Sequence, residues 1–258
     1  MSEIAFAVAA HPDDIEFMMG GTLLLLGLAG CELHYMTVAN GSCGSVTADA
    51  RRTAALRTEE ARAAAKVLGA VYHPPLTDDI QIYYTPSLVA KLCAIVRQVG
   101  PQILLVPSPQ DYMADHVNTA RLAVTGAFCR NMPNFPTDPP TEPVDGDVAV
   151  YHAQPYGLRD PLRNVVRPDL FVDVSSVRQQ KRRALACHQS QKEWLDVSQG
   201  TGSYLKAMDD LSAEMGRMSG RFEHAEGWRR HLHLGFAGED FDPVTDALGE
   251  LVMKAGPT

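Results

Sequence analysis

Ile4 to Ala9 (IAFAVA) is apolar at every position, the pattern of a strand buried on both faces of a parallel sheet. It runs into His11-Pro12-Asp13-Asp14, after which Glu16 to Ala29 predicts a helix and Leu33 to Val38 (LHYMTV) a second strand. The loop ANGSCGSVTADA follows, and Thr53 to Leu68, rich in Ala, Arg and Glu and stopped by Gly69, predicts a long helix. Val71 to His73 reads as a short strand, Pro86 to Val99 as a helix with proline in its first turn, and Ile103 to Val106 (ILLV) as a fourth buried strand. Further on, a helix is predicted from His116 to about Asn131, strands at Val148 to His152 and Leu170 to Asp173, and helices at Ser176 to His188 and Tyr204 to Met218.

Strands alternating with helices imply an α/β fold with a parallel sheet. The Pro-rich segment around 132–147 has too little apolar content to pack alone, so it is expected as a surface loop at a pocket mouth or an oligomer interface. The strands beyond it are too few for a second sheet, which predicts one domain over 1–258.

Composition narrows the function classes. A chain that is 45% hydrophobic and 21% charged is neither disordered, collagenous nor a coiled coil. Its net charge of −8 disfavours nucleic acid and anionic bilayers as partners. The most apolar uncharged stretch, Phe17 to Cys31, falls short of the ~20 residues a membrane helix needs and is interrupted by four glycines, so no membrane span is expected. Glu3 and the lack of a basic leader predict no signal peptide. Five scattered cysteines without a C-x-x-C pair argue against a disulfide framework and for a reducing cytoplasm; Cys43, in a Gly/Ser loop, is the one expected near a site.

In the common doubly wound strand order 3-2-1-4, the segments after strands 1 and 4 meet at a switch point beyond the carboxyl ends of the strands. Those segments are His11-Pro12-Asp13-Asp14 and PSPQDYMADH, which ends in Asp115-His116. His11, Asp14 and His116 therefore supply the imidazole and carboxylate donors of a catalytic zinc site, with Asp13 free as a general base. Ligand type alone also admits another divalent metal. The bland readings stand beside these: HPDD as a capped helix start, Asp115 as a cap or an orienting carboxylate, and Arg57 as an i, i+3 partner of Glu60. Gly20 and Gly21 do not form a dinucleotide fingerprint.

AHPDDIEFMMGGTL after a first strand resembles the signature of the PIG-L/LmbE-like deacetylase family. Arg57-x-Glu59-Glu60, Leu68-Gly69, Asp115-His116, Phe171-Val172-Asp173 and His188-x-Ser190-Gln191 are similar to family features in the same order, over roughly residues 4–195. The resemblance implies a Rossmann-like three-layer fold with a mostly parallel sheet, and a zinc-dependent hydrolase removing an N-acyl, typically N-acetyl, group from a small amino-sugar conjugate. It places the metal ligands on His11, Asp14 and His116, the base on Asp13, and a substrate-contacting arginine near Arg57. Family members commonly carry histidine where this chain has Met113, so either Asp13 serves as base and then as acid, or another histidine, with His188 and His152 as the candidates, enters the pocket to contact the substrate. That departure keeps two alternatives open: the same fold acting on a different bond, and a sugar-binding protein without turnover. A homo-oligomer is compatible with the composition.

Overall fold

The computed structural model describes residues 2–192 and 203–256. Five strands, β1 (Ile4–Ala9), β2 (Glu32–Thr37), β3 (Val71–His73), β4 (Ile103–Val106) and β5 (Ala149–Ala153), pair in parallel. Three more, β6 (Leu170–Asp173), β7 (Ala225–Arg230) and β8 (Val252–Lys254), pair antiparallel and extend the sheet in the order β3-β2-β1-β4-β5-β7-β6-β8. The first four strands thus adopt the expected 3-2-1-4 order, with β1 between β2 and β4.

Alternate residues of β1 face opposite layers, which is why the strand is apolar throughout. Ala5, Ala7 and Ala9 pack with the helices α1 (Asp14–Met18), α2 (Gly20–Leu28) and α3 (Ala50–Leu68), together with α6 (Arg178–Leu185) and α8 (Pro243–Leu248). Phe6 and Val8 pack on the other face with α4 (Pro86–Val99) and α5 (Ala114–Phe128). The long α7 (Ser203–Ser219) adds Tyr204 and Met208 to a satellite cluster with Phe17 and Leu185. The result is a three-layer, Rossmann-like α/β arrangement.

Boundaries differ from the sequence expectation where side chains or backbone intervene. The single helix expected over 16–29 is two, broken at Met19 (φ −132°, ψ −18°). Helix α3 starts at Ala50 because the Asp49 carboxylate accepts from the Arg52 amide at 2.8 Å, capping an extra turn. Strands β7 and β8 go beyond the sequence expectation; AEGWRR of β7 shows no alternation of apolar and polar residues. Its Glu226 is nonetheless buried: the carboxylate accepts from the Gly21 and Thr22 amides, each at 2.7 Å, and pairs with Lys181 Nζ at 2.7 Å. A β-carbon on Gly21 would lie 2.5 Å from Val174 Cγ1, so only glycine lets the first turn of α2 approach this carboxylate.

The Pro-rich loop contributes no residue to the main cavity. Two buried arginines hold it instead. Arg97 donates to the carbonyls of Met132 and Thr141, both at 2.7 Å, and Arg130 reaches Gly146 and Phe236. Among the described residues no helix is long and apolar enough to cross a membrane.

Candidate active site

The carboxyl ends of β1 and β4 open into a cavity of about 380 Å³. β1 delivers His11, and the turn into α1 delivers Asp13 and Asp14; the segment after β4 and the first turn of α5 deliver Asp111, Asp115 and His116. Asp13 sits in the left-handed region (φ 99°), a strained backbone for a non-glycine residue that turns neighbouring carboxylates in different directions.

Donor atoms of His11, Asp14 and His116 all lie within 4.8 Å of one another. Asp14 Oδ2 is 3.6 Å from His11 Nδ1 and 3.4 Å from His116 Nε2. The far nitrogen of each ring meets its own carboxylate: His11 Nε2 is 3.0 Å from Asp115 Oδ2, and His116 Nδ1 is 3.1 Å from Asp111 Oδ2. Such pairs fix tautomer and ring orientation, leaving His11 Nδ1 and His116 Nε2 turned toward Asp14. His116 Nε2 is buried and has no hydrogen-bond partner among the described residues, as a metal ligand requires. Two imidazoles and a carboxylate with backed orientation therefore fit a divalent ion of the zinc type. Without an ion, burial lowers the His11 pKa but hydrogen bonds to Asp115 and Asp14 outweigh it, pushing it up to about 9. Burial raises Asp14, yet His116 and His11 hold it well below the usual carboxylate range.

Asp13 lines the same cavity and is held through one oxygen. Tyr204 donates to Oδ2 at 2.7 Å, and Arg57 Nη2 lies 3.4 Å from that oxygen while also donating to the Pro12 carbonyl. Burial raises the Asp13 pKa, with Arg57 opposing. Arg57 thus points inward rather than along its helix. Glu60, its alternative partner, instead accepts from the Ser190 hydroxyl and amide. The loop over Arg57 is close-packed: a β-carbon on Gly41 (φ 80°) would lie 2.5 Å from Arg57 Cδ. Asp79 secures that loop by accepting from the Gly41 amide at 2.7 Å and the Cys43 amide at 2.9 Å, and both Asp79 and Cys43 line the cavity.

Neither histidine expected to replace the Met113 position lines the cavity, although Met113 itself does. His188 is fully buried behind it, with Nε2 3.5 Å from Glu16 Oε2. Neither of its ring nitrogens has a hydrogen-bond partner among the described residues. His152 donates or accepts within a chain, Nδ1 at 3.0 Å from the Pro107 carbonyl and Nε2 at 3.0 Å from His231 Nδ1. Several cavity residues carry no assignment from the sequence, Asp111, Tyr204 and Gln154 among them. Asp111 lies five positions before His116 in a stretch already singled out, whereas Tyr204 and Gln154 arrive by tertiary packing and carry no local signal. Phe17, Tyr112 and Tyr156 add aromatic walls, with Phe17 edge-on to both Tyr156 and Tyr204.

Residues 6–127 match the family model described as PIG-L, GlcNAc-PI de-N-acetylase. Diacetylchitobiose deacetylase of Thermococcus kodakarensis is 27% identical over 232 residues, 86% of this chain and 80% of that protein. 4-Oxalmesaconate hydratase of Pseudomonas putida is 29% identical over 202 residues, 73% of this chain and 74% of that protein. In fold, the N,N'-diacetylchitobiose deacetylase of Pyrococcus horikoshii superposes with a TM-score of 0.76 at 22% identity, covering 90% of this chain and 85% of that one.

Proposed function

We propose, from the match of residues 6–127 to the PIG-L family model, that the chain is a metal-dependent amidohydrolase removing an N-acetyl group from an amino sugar or sugar conjugate. The observation that carries this reading is the cluster of His11, Asp14 and His116, each imidazole backed by a carboxylate, beside a separately held Asp13. Zinc, or another divalent ion held by those three residues, supplies Lewis acidity toward an amide carbonyl and acidifies water. In this reading Asp13 takes a proton from the attacking water. Tyr204 and Arg57 occupy its Oδ2, which leaves Oδ1 for that transfer. Asp13 then returns the proton to the departing nitrogen, so amide and water become free amine and acetate. Met113 has no proton to give, which assigns the acid step to Asp13 as well. His188 serves through its pair with Glu16 beneath Asp13, as a positioning residue rather than a substrate contact.

Incubating the metal-loaded protein with N,N'-diacetylchitobiose and following free amine and acetate by mass spectrometry tests the proposal. Release that stops on chelation and returns with zinc supports it; equal release from the metal-free protein sinks it.

Met113 and the 29% identity to a hydratase favour a second reading, addition of water to an unsaturated carboxylic acid by the same cluster. Consumption of 4-oxalmesaconate without any amide hydrolysis would select it.

A further inference from the structure

Gln154 follows β5 at the carboxyl edge of the sheet and forms part of the cavity wall. It is 2% exposed, and neither its Oε1 nor its Nε2 has a partner among the described residues. A buried primary amide with both functions unpaired weakens the free protein unless a ligand completes it. Its one acceptor and two donors suit a pair of hydroxyls or a secondary amide, and carry no charge to match an ion.

The charges around it point the same way. Asp13, Asp14, Asp79 and Asp111 line the cavity, and Arg57 is the one guanidinium or ammonium in the lining among the described residues. Arg57 is already engaged by Asp13 and the Pro12 carbonyl. With neutral imidazoles, even a divalent ion leaves this lining negative. Residues 193–202, EWLDVSQGTG, hold no Lys or Arg to change the balance. A polyanionic substrate needs a free guanidinium or ammonium to replace its hydration.

The rim is apolar. Ile80, Tyr112 and Tyr156 are 59%, 56% and 42% exposed while lining the cavity. Ile80 occupies the left-handed region (φ 61°), a genuine outlier for a β-branched residue, with its amide pinned to Asp115 Oδ2 at 2.7 Å. That strained turn sets an exposed aliphatic side chain in a lining that also holds two exposed aromatic rings on which a sugar ring can stack.

We infer that the cavity selects a neutral, hydroxyl-bearing ring with an apolar substituent, the ring read by the Gln154 amide and the substituent received by Ile80, Tyr112 and Tyr156, and that it rejects polyanions. The inference rests on the deacetylase reading only for which bond is cut. It also separates the two activities named among the relatives, favouring a sugar over a carboxylic acid.

Calorimetric titration of the zinc-loaded protein with matched 4-methylphenyl and 4-carboxyphenyl glycosides of N-methylsulfonyl-glucosamine tests it, because the sulfonamide cannot be deacylated. The methylphenyl ligand should bind tenfold or more tightly than the carboxyphenyl one. Gln154→Met should weaken it by at least tenfold while leaving Tm unchanged or raised. Preference for the carboxylate, no binding of either glycoside, or a Gln154→Met variant with lowered Tm and unaltered affinity would overturn the inference. Acetate release from N-acetyl substrates is read separately. The predicted binding order without release removes the deacetylase reading alone, and release with the carboxylate preferred removes this inference alone.

Discussion

Tyr204→Phe removes a single hydroxyl and keeps the ring that stands edge-on to Phe17 at 5.2 Å. The lost group donates at 2.7 Å to Asp13 Oδ2. A hydrogen bond to a charged acceptor is worth about 1.5–3 kcal/mol, which at 1.36 kcal/mol per unit moves a pKa by about 1–2 units. The bond favours the carboxylate, so its loss raises the Asp13 pKa further above a value that burial already lifts. A base must be deprotonated to act, and the acid limb of kcat/KM for diacetylchitobiose should therefore move up in pH by about 1–2 units. The plateau rate above that limb should stay near wild type, because Oδ1 and Arg57 are untouched. Acetate release measured across the acid and neutral range, with metal content held equal, provides the profile. An acid limb that does not move would refute the assignment of Asp13 as the proton acceptor under Tyr204. A collapsed plateau without a shift would place the hydroxyl on the substrate instead.

Elemental analysis should find near-stoichiometric metal in the wild type and almost none in His116→Ala, whereas Asp111→Asn, which touches His116 without being one of the three proposed ligands, should weaken metal affinity by roughly 10–100-fold. Gly41→Ala should lower activity and cost at least about 1 kcal/mol in a denaturant titration, since its φ of 80° disfavours alanine and the new β-carbon meets Arg57. Burial, opposed by the Pro107 carbonyl and helped by His231, depresses the His152 pKa from 6.5 to about 4. Stability should then be full above pH 6.5 and fall as pH drops toward 4, by about 3 kcal/mol at 1.36 kcal/mol per unit. His152→Asn should flatten that dependence in urea midpoints; a wild-type midpoint insensitive to acid would contradict it.

The elements legible in the sequence are those whose burial is uniform. IAFAVA and ILLV are apolar because both faces of β1 and β4 are covered, and that pattern needs no partner to be read. β7 resists the same reading because its buried Glu226 is made tolerable by Lys181 and two helix amides distant in sequence. The break at Met19 is invisible because Met19 and Leu23 are both buried, so apolar periodicity runs through it. In the site, His11, Asp14 and His116 sit in short segments directly after strands, where topology alone brings them together. Tyr204 reaches Asp13 across 191 positions, and His188 shares a helix-rich neighbourhood with the site without entering the cavity. Which way a side chain points is decided by packing that spacing does not encode.

The Glu226 carboxylate has a consequence for how the protein comes into being. The family-matched segment 6–127 contains the clustered His11, Asp14 and His116, yet the first amides of α2, the second helix beyond HPDD, are satisfied from β7. On the ribosome, that anchor emerges about two hundred residues after the turns it secures. A nascent chain halted before β7 holds His11, Asp14 and His116 and lacks the brace that sets α2 behind them. If the proposed metal site needs that brace, two separately expressed halves should acquire metal only after they reassemble.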